Sequence, residues 1–183
     1  MGATGQLAGA GISDHRGWAV IVTVAIADAG PTVIDRRRVE MLDDGLEAMP
    51  YEHMYGQIGE SAFERRITGI EASVNAHAAR ALSTLHDDLA ASGHRLAVVS
   101  IRHYVEPPDL TTVNARIAAD GALYRDALVA AAEALAVEVR FHDAKALAKR
   151  DDVPRPSGTP WAQEHRVAAA AAVAALDAHT VTE

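Results

Sequence analysis

Cysteine is absent from the 183-residue chain, which excludes disulfides, thiolate metal sites and cysteine nucleophiles. Aromatic residues make up only 4%, which argues against the stacking platforms that hold single-stranded nucleic acid. No excess of positive charge is present either. The formal net charge is −8, so no overall field draws the chain toward a polyanion. Even the alanine-rich stretch from Val167 to Leu176 spans only ten residues, against roughly 18 for a membrane span. The first residues lack the basic-then-apolar order of a signal peptide, so a soluble cytoplasmic chain with no membrane contact is expected.

What is there suits one domain over residues 1–183, with 49% hydrophobic residues for a single core. Residues 1–6 read as a flexible start. Leu7 to Ser13, Trp18 to Ile26 and Thr32 to Leu42 read as three strands, the second apolar on both faces as in a covered sheet. Residues 43–59 form a long loop. Ser61 and Glu64 have the spacing of a capping box, and behind them Phe63, Ile67, Ile70, Val74, Ala78, Ala81, Leu85 and Leu89 define an amphipathic helix ended by Gly93. Leu96 to His103 is a buried strand turning polar at its end, and Thr111 to Ala136 is helical, with fraying expected at Gly121. Val137 to Phe141 is a short strand, followed by a short helix from Lys145 to Arg150. A second long loop, 151–159, precedes a final helix from Pro160, so rich in alanine that it must approach its neighbour closely.

The order β-β-β-α-β-α-β-α predicts an α/β fold, a mixed five-stranded sheet with helices on both faces and right-handed crossovers. The first, fourth and fifth strands then run parallel. Their carboxyl ends, where α/β sheets place ligands, carry Asp14 and His15, His103, and His142 and Asp143. The helix start with Glu64 and the last helix with Glu164 and His165 are expected at the same edge.

Three segments carry a resemblance: "GISDHRGWAVI", "LAVVSIRHYVEPPD" and "WAQEHRVAAAAAVAAL". In these and in element order the chain resembles the ribonuclease-H-like superfamily, nearest in layout to the bacterial Holliday-junction resolvases. The resemblance implies carboxylates that hold two divalent metals, which activate water and stabilise the leaving oxygen of a phosphodiester. The chain departs from that pattern at three places. Ser13 holds the family's first-strand position and Asp14 follows one step later, on the opposite face of a continuing strand. The fourth-strand acid is replaced within Ser100 to His103, and only Glu164 and His165 stand where the last helix would carry acids.

Two functional readings follow. In one the chain is a divergent metal-dependent nuclease or phosphodiester hydrolase with a histidine-rich site. Asp14, Glu64, Asp143 and Glu164 are its candidate catalytic groups, and Asp14, His15, His103, His142 and His165 its candidate metal ligands. The cofactor is then a divalent metal, magnesium, manganese or zinc, with imidazole favouring the transition metals. In the other the chain is a non-catalytic binding or oligomerisation module that has lost the acids. Arg36, Arg37 and Arg38 are the candidate basic patch for nucleic acid, and the weakly charged alanine helix is compatible with a homodimer. A nucleotide-binding reading, from the similar opening meander of sugar kinases and actin-like ATPases, lacks the phosphate loop it needs.

Each candidate also has a plainer role. Asp14 could cap a turn, Asp143 could cap the helix after it, and Glu64 could serve the capping box. His77, His86, His94 and His179 read as solvated surface.

Overall fold

Five strands form one sheet in the order β3-β2-β1-β4-β5 in a computed structural model that describes residues 5–28, 30–150, 153, 155, 156 and 161–181. β1 (Gln6–Asp14), β2 (Trp18–Ala27) and β3 (Gly30–Glu40) make an antiparallel meander. β4 (His94–Arg102) and β5 (Glu138–His142) then add in parallel beside β1. Helix α2 (Glu60–Ala91) connects β3 to β4, and α3 (Val113–Ala134) connects β4 to β5. The remaining helices are α1 (Pro50–His53), α4 (Ala144–Leu147) and α5 (Gln163–Thr180). The expected order and the helices on both faces are therefore observed, with two extra features.

The first is α1, inside what reads as a featureless loop over 43–59. Four residues with Pro50 at the first position are too few to show a period, so the helix owes its place to tertiary contacts. Asp120 of α3 accepts the backbone N–H groups of Tyr51 and Glu52 at 2.8 and 3.1 Å, and Tyr124 donates its hydroxyl to the Ala48 carbonyl. The second is Gln6, which begins β1 and donates its side-chain amide to the Ile26 carbonyl instead of belonging to a flexible start. Most of the 151–159 loop and Pro160 lie outside the described residues.

The expected capping box does not form. Gly59 precedes the first turn of α2 without a side-chain cap, which leaves Ser61 and Glu64 inside the helix and exposed. At α3 the cap is Thr112, whose hydroxyl accepts the Ala115 N–H, and the helix runs through Gly121 without a break. Gly93 does end α2 with φ +82°, the left-handed conformation that glycine adopts at no steric cost.

Strand alternation divides the core between two layers. Ala8, Ala10, Ile12, Ala19 and Ile21 join Val74, Leu82, Leu85 and Leu128 under α2 and α3. Val20, Val22 and Val24 meet Ala168, Ala169, Ala172 and Val173 of α5. Gly9 and Gly11 of β1 face α5 as well. A β-carbon at Gly11 would stand 1.9 Å from the Ala168 carbonyl oxygen, so α5 lies on the strand backbone itself, and its alanines make that approach possible.

Candidate functional site

The two layers determine what the carboxyl edge of the sheet presents. β1 continues to Asp14, which pairs with Ala19 and shares its face with Ile12 under α3. Ser13 pairs with Val20 and lies on the α5 face. The one-residue displacement read from "GISDH" is thus a displacement from one side of the sheet to the other.

Under α3, Asp14 is buried; its Oδ2 accepts the Nε–H of Arg125 at 2.9 Å and lies 2.8 Å from Nη2 in the same ion pair. Among the described residues its Oδ1 has no hydrogen-bond partner and lies 3.8 Å from Arg102 Nε, which has none either. Asp14, Arg102, Arg125, Arg16, His15 and Tyr124 line a cleft of about 550 Å³. Arg125 reaches the cleft along a four-residue spacing with Ile117 and Gly121, and a β-carbon at Gly121 would stand 3.2 Å from its Nη1. That glycine leaves room for the guanidinium.

On the α5 face, Ser100 and His142 meet across β4 and β5, with Oγ and Nδ1 3.0 Å apart. His142 pairs in register with Arg102, and its Nε2 has no hydrogen-bond partner among the described residues. Burial first, then the charge of Arg102, pushes its pKa down to about 4. The ring is therefore neutral near pH 7.

The other sequence candidates spread around this edge. His15 stacks on Trp18 with ring centroids 3.9 Å apart, and the Arg38 guanidinium lies over the same indole at 3.9 Å. Burial lowers the pKa of His15 more than the nearby charges of Asp14 and Glu164 raise it. His165 leans against Trp161 beside Glu164 at the start of α5, and burial and then Arg36 lower its pKa. His103 is exposed and packs edge-on against Phe141, the neighbour of His142 that points to the other face. Asp143 caps α4 by accepting the N–H groups of Lys145 and Ala146, and Glu64 is exposed on α2. The charge of Asp14 thus reaches both His15 and His142, whereas His103 and Glu64 are exposed and Asp143 caps α4.

Among the described residues, no group of three or more histidines and carboxylates could hold a metal ion. The donor set explains why. A divalent cation beside Asp14 would face Arg125 and Arg102, and the neighbouring α5 face offers Ser13, Ser100 and a neutral imidazole in place of carboxylates. Two divalent metals, hard cations that take oxygen ligands, do not fit this arrangement.

The arginine run also divides. Arg37 pairs with Ile21 on the α2 side and forms ion pairs with Asp35 and Asp88. Arg36 and Arg38 pair with Val22 and Val20 on the α5 side. The cationic groups that gather are instead Arg16, Arg102 and Arg125. Arg102 had a visible signal in its place at the polar end of an apolar strand. Two presumed surface histidines are engaged as well: His77 reaches the Glu40 carbonyl and Asp43 carboxylate, and His179 reaches Glu138.

No family model and no curated protein matches the chain. Among solved structures it is similar to RuvC of T. thermophilus in complex with a Holliday-junction substrate. That match has a TM-score of 0.54 and 15% identity over 96% of this chain and 95% of the other. A second Thermus thermophilus RuvC structure matches with a TM-score of 0.51 and 16% identity, covering 96% and 95%. The chain has the ribonuclease-H-like α/β fold of these structures, and among its described residues no metal-binding cluster is found.

Proposed function

We propose that this protein is a nucleic-acid-binding module of resolvase fold, which holds the phosphodiester backbone at the carboxyl edge of its sheet without two-metal hydrolysis. One observation carries the reading. Arg16, Arg102 and Arg125 share one cleft with a single carboxylate, Asp14, and that carboxylate is already engaged. Guanidinium groups form charge-assisted, often bidentate bonds to phosphate oxygens. With a net charge of −8 on the whole chain, attraction is local to this cleft, and the affinity is correspondingly modest. The fold neighbour bound to a Holliday junction makes branched DNA the first ligand to test.

The test is fluorescence anisotropy with a labelled four-way DNA junction and a linear duplex, in EDTA and across a salt series. Junction binding should weaken with salt along a log–log slope of about −0.9 per phosphate contacted. Arg16→Ala and Arg102→Ala should each reduce that slope by about one unit. Absence of salt-sensitive binding would overturn the reading. Magnesium- or manganese-dependent cleavage that disappears in Asp14→Asn would restore the hydrolase reading in its place.

A further inference from the structure

We propose that Arg102 is a built-in cation that holds a phosphate group at the carboxyl edge of the sheet, where the resolvase resemblance implies divalent metals, with Asp14 as the residue that positions it. This rests on the phosphate-binding reading above and assigns that contact to one side chain.

The register carries the argument. The pairing of β1 with β4 ends at Gly11 and Ser100, and Arg102, two residues further along β4, brings its Nε to 3.8 Å from Asp14 at the end of β1. Ser13 holds the position that the resolvase resemblance assigns to an acid, and here that position carries a neutral hydroxyl while the acid one step later, Asp14, faces the Arg102 guanidinium. On its other side Arg102 pairs with His142 in β5. That ring is neutral, and when the Ser100 hydroxyl donates to Nδ1, its unpartnered Nε2 carries a hydrogen-bond donor.

Two buried atoms at this point have no hydrogen-bond partner among the described residues. Asp14 Oδ1 and Arg102 Nε approach to 3.8 Å without forming a hydrogen bond. Asp14 is 6% exposed and His142 8% exposed, so their unpartnered atoms are not solvated by bulk water. The Arg102 side chain retains 38% exposure and lines the cleft with Arg16 and Arg125. A second cation would be repelled here. An anion is attracted by the guanidinium groups of Arg16 and Arg102, since Asp14 already engages Arg125, and the Asp14 carboxylate 3.8 Å from Arg102 Nε restrains that side chain at the cleft. Asp14 is on this account a positioning carboxylate, not a metal ligand.

The experiment separates this inference from the function it rests on. Inorganic phosphate is added to wild type, Arg102→Ala, Asp14→Asn and Asp14→Glu in EDTA, and thermal midpoints are compared with junction binding by the same proteins. At tenfold over its Kd, phosphate should raise the wild-type midpoint by about 3 °C. That shift should be lost in Arg102→Ala, reduced in Asp14→Asn and restored in Asp14→Glu. In Arg102→Glu and in Ser13→Asp/Arg102→Glu the cation gives way to acids, and manganese should then raise the midpoint where it leaves wild type unchanged.

Equal phosphate stabilisation of wild type and Arg102→Ala would overturn the inference, as would a wild-type response that needs a divalent ion. If Arg102→Ala binds the junction as wild type does, the nucleic-acid reading stands and this inference falls. If phosphate binding depends on Arg102 but the junction does not bind, the inference stands and the nucleic-acid reading falls.

Discussion

Arg125 of α3 lays two nitrogens on one carboxylate oxygen of Asp14, at 2.9 and 2.8 Å, and so ties the end of the central strand to the helix that covers it. Both side chains are largely buried, 13% and 5% exposed. Removing one member leaves the other charge without its partner in a poorly solvated place, which costs about 3–5 kcal/mol. Asp14→Ala and Arg125→Ala should each lower unfolding free energy in urea by that order. A double replacement, Asp14→Leu with Arg125→Met, should recover most of the loss, because two apolar groups leave no charge stranded.

His142 predicts the acid limb of stability. Its pKa is about 4 in the folded protein against 6.5 for an ordinary imidazole, because burial and Arg102 disfavour the charged ring. Between these values the unfolded chain binds the proton and the folded chain does not. This contribution is therefore complete above about pH 6.5, falls as pH drops toward 4, and is constant below that. The shift is on the order of 3 kcal/mol. His15 and His165 are also lowered and reinforce the direction. Urea midpoints across this range should fall with acid in wild type, and His142→Asn should flatten the fall. An unchanged slope in that variant would refute the assignment.

The close approach of α5 to β1 predicts a graded response to one methyl group. At Gly11 a β-carbon would stand 1.9 Å from the Ala168 oxygen and 2.8 Å from the Ala172 nitrogen, both backbone atoms that cannot rotate away. At Gly9 the nearest atoms stand at 3.0 and 3.1 Å, and one belongs to a side chain. Gly11→Ala must push the helix off the sheet and should destabilise by about 3 kcal/mol or more, whereas Gly9→Ala should cost about 1 kcal/mol. Soluble yield and thermal midpoint read the difference directly.

Much of this architecture was legible because its signals are local and periodic. The apolar alternation of Trp18 to Ile26 reads as a covered strand, the three- and four-residue spacing from Phe63 to Leu89 as one helix, and the run of alanines as close packing. The step from Ser13 to Asp14 was legible too, since alternation alone puts neighbours on opposite faces. The partners of Asp14 were not. Arg125 is 111 positions away and Arg102 88, and only the parallel pairing of β1 with β4 and the docking of α3 bring them together. Arg36, Arg37 and Arg38 misled for the converse reason, because adjacency in sequence becomes separation across an edge strand. The capping-box spacing misled because α2 begins two residues earlier, with Gly59 and not Ser61 at the cap, which puts Ser61 inside the helix.

Helix α1, for which the sequence shows no period, depends on a single carboxylate. Asp120 is 1% exposed, and each of its oxygens accepts one backbone N–H from the first turn of α1. Burial pushes its pKa up to about 6 against the pull of those two bonds. Without the carboxylate, the amides of Tyr51 and Glu52 lose their acceptor, and a buried donor left unpaired costs about 1–3 kcal/mol. In Asp120→Ala those two amides should exchange with deuterium far faster than in wild type, while β1 and β4 amides keep their protection. Tyr124→Phe, which removes the hydroxyl's bonds to the Ala48 carbonyl and the Gly17 backbone N–H and leaves the Asp120 bonds in place, should cost about 1–2 kcal/mol and loosen the segment less. Protection at Tyr51 and Glu52 that survives Asp120→Ala would mean that packing against α3, not the carboxylate, holds α1 in place.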